Sequence, residues 1–166
     1  MEHELAIATD DGEMGTFVVQ PDAAGPHAVV LFLMDAPGKR PLLHDMARRI
    51  ASNGYYVMLP NLYYRTTPAF ELDIQSKESF DRMVELMSNL GNKAVARDVG
   101  ALLEHAADDP AADATTVGCV GYCMSGPFAL WSAAEHAAVV RSAASFYGVR
   151  LHVEAADSPH TRLDEI

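Results

Sequence analysis

The sequence predicts an α/β fold: a mostly parallel, doubly wound sheet with helices on both faces. Three observations carry this. Ala28-Val29-Val30-Leu31-Phe32-Leu33-Met34 is apolar on both faces, as in a strand covered above and below by helices. Such runs alternate with segments of helical period, for example Leu42, Leu43, Met46 and Ile50. No repeat, low-complexity tract or linker interrupts the 166 residues, which form one expected domain, residues 1–166.

The elements follow in order. His3 to Thr9 and Thr16 to Gln20, joined by the turn residues Asp10-Asp11-Gly12, are expected to form a hairpin at the sheet edge. The strand Ala28 to Met34 is followed by a helix from Pro41, with Arg48 and Arg49 on its polar face and Gly54 as its stop signal. Tyr55 to Leu59 makes a second buried strand ended by Pro60, and a long loop runs through Thr66-Thr67-Pro68. Phe80, Met83, Val84, Met87 and Leu90 mark a helix ending at Gly91. Val95, Val99, Leu102 and Leu103 mark another, ending before Asp108-Asp109-Pro110. A strand from Thr115 to Val120, a helix from Gly126 to His136 and a strand from Ser142 to Tyr147 complete the pattern. In sheets of this kind ligands bind at the carboxyl ends of the strands, so the residues after Met34, Leu59, Val120 and Tyr147 are the ones to inspect.

Composition excludes several functions. Hydrophobic residues at 49% and charged residues at 21% describe a chain that buries a core. Twelve Lys and Arg against 23 Asp and Glu leave a net charge of −11, which repels nucleic acid and anionic membrane surfaces. Only Cys119 and Cys123 are present, too few for a disulfide framework, and the expected compartment is reducing. Met1-Glu2-His3-Glu4 is acidic where a signal peptide is basic, and no apolar run approaches the ~18 residues that span a bilayer, so a cytoplasmic protein is expected. The two cysteines lack further ligands at metal-site spacing, and Gly118, Gly121 and Gly126 fit neither a dinucleotide fingerprint nor a phosphate loop. Neither metal nor cofactor is expected.

The segment Gly121-Tyr122-Cys123-Met124-Ser125-Gly126 carries the chemistry. It leads from a β-branched strand into a helix, with a small residue two before and two after Cys123, as a nucleophile elbow requires. The helix amino terminus favours a thiolate there. Spacing alone fits equally a nucleophile and a buried structural cysteine. Cys119, inside the strand, reads as core.

With Met34-Asp35-Ala36-Pro37-Gly38, Pro60-Asn61-Leu62-Tyr63-Tyr64-Arg65 and Ser145-Phe146-Tyr147-Gly148, this segment resembles the dienelactone hydrolase family of the α/β-hydrolase fold. Four motifs stand in family order across nearly the whole chain. The resemblance implies that Cys123 attacks the carbonyl of a lactone or ester and forms an acyl-thioester that water hydrolyses. It implies an oxyanion hole from the backbone N–H groups of Met124 and Ala36. Asp35 then stands where the family carries an acidic group, often Glu, beside the resting thiol; otherwise it is a loop carboxylate in solvent. Arg65 matches an arginine that meets a substrate carboxylate, and is otherwise a surface residue. Asn61 replaces the family's usual Asp.

The family's triad Asp and His follow later strands, and no acid or histidine between Gly148 and Ile166 stands in such a context; His152 and His160 are not assigned as bases. The chain reads as the first two thirds of such a domain, truncated after the strand that follows the nucleophile helix. The expected partners are a small lactone or ester, carboxylate-bearing, and either a missing C-terminal fragment or a homo-oligomer across the open sheet edge. The competing function is a non-catalytic α/β domain that self-associates by that edge.

Overall fold

Asp10 and Asp11 close the tight turn of an antiparallel hairpin between β1 (Glu2–Thr9) and β2 (Gly12–Val19) in the computed structural model, which describes residues 1–166. The turn is completed by Gly12 at φ +132°, a conformation that favours glycine. The other strands are β3 (His27–Leu33), β4 (Tyr56–Pro60), β5 (Ala112–Tyr122) and β6 (Val140–Phe146). They make one six-stranded sheet of order β1-β2-β4-β3-β5-β6. The hairpin joins antiparallel to β4, while β4, β3, β5 and β6 are mutually parallel.

Four helices connect these strands: α1 (Pro41–Ala51), α2 (Lys77–Ser88), α3 (Asn92–Asp108) and α4 (Gly126–Glu135). From β3 the chain moves to one side through α1 to reach β4, then back across β3 through α3 to reach β5. Crossovers of one hand therefore place α1 and α3 on opposite faces. α1 packs on β4 and β2, whereas α3 and α4 pack together over β5 and β6. The point where the strand order reverses lies between β4 and β5, at the carboxyl end of β3. That is the ligand crevice of such sheets.

The core lies on both sides of the central strands. Leu31, Phe32 and Leu33 of β3 and Val57, Met58 and Leu59 of β4 are fully buried, which explains why neither strand alternates in polarity. α1 contributes Leu43, Ala47 and Ala51, and α3 contributes Val95, Val99 and Leu102. α2 differs: Met83 and Leu86 are buried, but Phe80 and Val84 of its apolar face are exposed. Its N-cap, Ser76, accepts a hydrogen bond from Ser79 N–H, a start signal independent of packing.

Boundaries moved by a few residues. β5 begins at Ala112 rather than Thr115 and has register shifts along both neighbours, so its first residues lack the apolar signal of its end. Pro60 pairs with Thr16 as the last residue of β4 instead of lying beyond it, a position where a missing N–H is tolerated. No helix is long and apolar enough to cross a membrane.

His44 on α1 gives the fold a pH dependence. Its ring stacks on Phe17 at 4.3 Å, and burial pushes its imidazole below the ordinary value of 6.5, with Glu4 opposing. The unfolded chain therefore takes up this proton before the folded one does. This contribution to stability is complete above the unfolded value and declines as pH falls below about 6.5. In urea titrations from about pH 7.5 down to about pH 5, the His44→Phe variant is expected to lose that part of the slope.

Candidate active site

The turn after β5 is built around a strained residue. Cys123 has φ +53°, the left-handed region that side chains other than glycine rarely adopt, and a single 3-10 turn over Cys123–Ser125 leads into α4. The flanking small residues have measurable reasons. A Cβ added at Gly121 would lie 2.1 Å from the Ser125 carbonyl oxygen, and one at Gly126 would lie 2.3 Å from Ser145 Oγ. Ser125 is itself buried, and its hydroxyl explains why serine serves here in place of glycine. It accepts from Tyr122 N–H at 2.9 Å, and its proton lies between the carbonyls of Leu33 (2.9 Å) and Tyr122 (3.0 Å). The elbow is thereby tied to the end of β3.

That end carries the second half of the site. Asp35 to Gly38 form a turn closed by Gly38 N–H on Asp35 O at 3.2 Å, with Gly38 at φ +95°. Ala36 is buried, and none of the hydrogen bonds outside helices and strands uses its N–H as donor. Buried N–H groups are seldom left unmatched, so this one marks a place for an incoming acceptor. The Ala36 carbonyl accepts from Tyr63 Oη at 2.9 Å, and the same hydroxyl lies 3.3 Å from Met124 Sδ. Tyr63 therefore fixes both the Ala36 backbone and the Met124 side chain. Burial pushes its phenol well above its ordinary value, with Asp35 and Cys123 as contributing neighbours. Sequence reasoning gave Tyr63 no role; the available signal was a tyrosine three residues past a central strand.

The other site residues are engaged with protein partners. Both carboxylate oxygens of Asp35 are held by Arg40, at 2.5 and 3.0 Å, and these bonds raise the guanidinium further above its ordinary value. Arg40 had no sequence signal, because a bidentate pair across a turn depends on side-chain direction. Arg65 forms two bonds to Asp98 (2.9 and 2.7 Å), a third to Asp11 (2.8 Å), and lies over the Tyr64 ring at 4.5 Å. Asp98 is buried on α3 and also accepts from Tyr64 Oη at 2.8 Å. Arg65 lines a polar depression with Thr9, Asp11, Arg97 and Asp98, to which no elbow residue contributes. Asn61 braces its own loop: Oδ1 accepts from Tyr63 N–H, and Nδ2 donates to the carbonyls of Thr67 and Pro68.

His152 and His160 pack ring to ring at 4.0 Å, and His160 Nδ1 is hydrogen-bonded to Ser158 Oγ at 2.7 Å within its own segment. Cys119 is buried, and desolvation pushes its thiol up to about 12. Cys123, by contrast, is partly exposed. No cluster of three or more His, Cys, Asp or Glu is poised to hold a metal. The carboxyl ends of the neighbouring parallel strands β3 and β5 thus carry an acid–arginine pair and a buried Ala36 on one side and a strained cysteine on the other, an arrangement suited to acyl transfer.

Comparison with known proteins shows the family and the fold. The model of the dienelactone hydrolase family matches residues 14–165. Carboxymethylenebutenolidase of Pseudomonas putida is 26% identical over 158 residues, covering 95% of this chain and 66% of its own. The same-named protein of Pseudomonas sp. strain P51 is 28% identical over 142 residues, covering 86% and 58%. Among solved structures, m3DLH superposes with a TM-score of 0.76 at 19% identity, covering 95% of this chain and 63% of that one. Dienelactone hydrolase of Anabaena variabilis gives 0.65 at 17% identity, covering 89% and 63%. At such identities the structural likeness establishes a shared fold. The chain spans about half to two thirds of the length of the curated relatives it matches.

Proposed function

The chain belongs to the dienelactone hydrolase family, and from that premise we propose that it serves the hydrolysis of lactone or ester bonds with Cys123 as nucleophile. The observation that carries this reading is the strained elbow, Cys123 at φ +53°, tied through the Ser125 hydroxyl to Leu33, three residues before Ala36. Strain of this kind collects where a side chain must be presented rather than packed.

In the proposed reaction Sγ, as thiolate, attacks the carbonyl carbon and forms a C–S bond, and the carbonyl electron pair moves onto oxygen. The N–H groups of Ala36 and Met124 receive that oxyanion, with Tyr63 holding the Ala36 carbonyl from behind. Collapse restores the carbonyl and breaks the C–O bond, and the leaving alkoxide takes up the proton that Asp35 received from the thiol. Water then cleaves the thioester, releasing the acid and the thiol. Asp35 is the proposed acceptor of the thiol proton; its bond to Arg40 orients the carboxylate.

The test is to trap the intermediate. Rapid quenching after mixing with p-nitrophenyl acetate should give one added acetyl group, mapped by peptide mass spectrometry to Cys123. Acetylation elsewhere, or release of p-nitrophenol with no covalent adduct at early times, would remove the cysteine from the mechanism.

A further inference from the structure

A cavity of about 410 Å³ adjoins the elbow, and it is mostly apolar. Its walls come from the last turn of α2 (Met87), the link to α3 (Leu90), the first turn of α4 (Phe128) and the segment after β6 (Val149, Val153). α3 and α4 both begin at the carboxyl ends of the strands, so the cavity opens at the same end of the sheet as Cys123. Two contacts make it continuous with the reacting centre. Met124, the residue after the nucleophile, forms part of the wall, and Val149 N–H donates to the carbonyl oxygen of Cys123 at 3.2 Å.

We propose that this cavity takes the acyl arm of the substrate, and that the arm is an apolar chain of several carbons. This inference rests on the hydrolase reading above. The volume lies within the roughly 300–1,000 Å³ of small-molecule sites. The chemistry of the walls selects the class. The polar part of the wall is Ser88, Asn92, Arg150 and Asp157: Asn92 spends its Nδ2 on the Asp157 carbonyl and leaves Oδ1 buried without a partner, and Arg150 is exposed, so the apolar side chains make up most of the lining. The polar depression around Arg65 is filled with mutually paired charges and shares no residue with the elbow. The groove between α3 and α4, lined by Lys93, Arg97 and Glu135, shares none either. The position selects the acyl side. The acyl group stays bonded to Sγ until water cleaves it, so it suits a pocket that shares a wall with the nucleophile, whereas the alcohol must leave. Val84, exposed on α2, lines the cavity.

The experiment is a chain-length series of p-nitrophenyl esters from acetate to octanoate. Each methylene that enters the cavity is expected to raise kcat/KM by about fourfold until the pocket is filled. Val84→Trp, at an exposed position that burdens no core packing, should reduce the hexanoate-to-acetate ratio toward one. Ala155→Phe, on the opposite rim, should do the same, and the remote exposed variant Ile74→Ser should keep the wild-type ratio. A flat profile in the wild type, or a ratio unmoved by both rim variants, overturns the proposal. A second measurement needs no turnover: the rate at which N-hexylmaleimide and N-methylmaleimide label Cys123, read by peptide mass spectrometry. If no ester is hydrolysed but the hexyl preference exists and Val84→Trp removes it, the hydrolase reading fails and the apolar pocket stands. If esters are hydrolysed without chain preference and the two maleimides label alike, the pocket fails alone.

Discussion

Replacing Cys123 with alanine is expected to lower ester turnover by more than about 10³-fold, whereas Cys119→Ala should stay within a few-fold of the parent. The two thiols lie four residues apart, and their surroundings divide them. Cys119 is buried in β5 with its thiol pushed up to about 12, so it is neutral and shielded at any working pH. Cys123 is partly exposed on the turn. In the native protein, iodoacetamide should modify Cys123 alone, and both residues only after denaturation. A third variant separates presentation from packing. At φ +53° a residue with a Cβ stores strain of about 1 kcal/mol, which glycine relieves. Cys123→Gly should therefore be inactive yet more stable than the parent by about 1 kcal/mol in denaturant titration. Were the variant no more stable, the turn would be a relaxed one and the case for a presented nucleophile would weaken.

The second large effect concerns Arg65. Asp98 is almost completely buried and receives both Arg65 nitrogens and the Tyr64 hydroxyl, while Asp11 ties the same guanidinium to the hairpin turn. Removing the arginine leaves a buried carboxylate without its counter-charge, a change that costs about 3–5 kcal/mol. Arg65→Ala should lower the melting temperature by roughly 10 °C for a chain of this size. Arg65→Met combined with Asp98→Leu should regain part of the loss, because the stranded charge is then gone. The expected result for specificity is an unchanged ratio of kcat/KM between anionic and neutral esters. Should that ratio fall in Arg65→Ala while stability holds, Arg65 meets the substrate carboxylate as its family resemblance implies, and its role as a clamp between α3 and the hairpin is overturned.

Several parts of the fold and the site are legible along the chain because their signals are local. β3 and β4 read as apolar runs because both faces are covered, and Cys123 stands out because a sharp strand-to-helix turn demands small residues on both sides. Signals fail where a side chain's partner is distant in sequence. The helical period of α2 marks Phe80 and Val84 as core, yet both are exposed, since α2 does not pack against the strands of the sheet. Ser125 reads as a tolerated small residue, but its hydroxyl joins β5 to Leu33, 92 positions earlier.

The sequence by itself determined the order of strands and helices and the sharp turn at Cys123, because hydrophobic period and backbone sterics act between residues a few positions apart. Tertiary structure alone decided which charges meet. It paired Asp35 with Arg40, committed Arg65 to Asp98 and Asp11, and set Tyr63 against Ala36 and Met124. It also opened an apolar cavity beside the elbow. The physical reason is range and direction: a hydrogen bond or ion pair requires two groups within about 3 Å at a defined angle, and only the folded sheet with its crossovers brings such groups together.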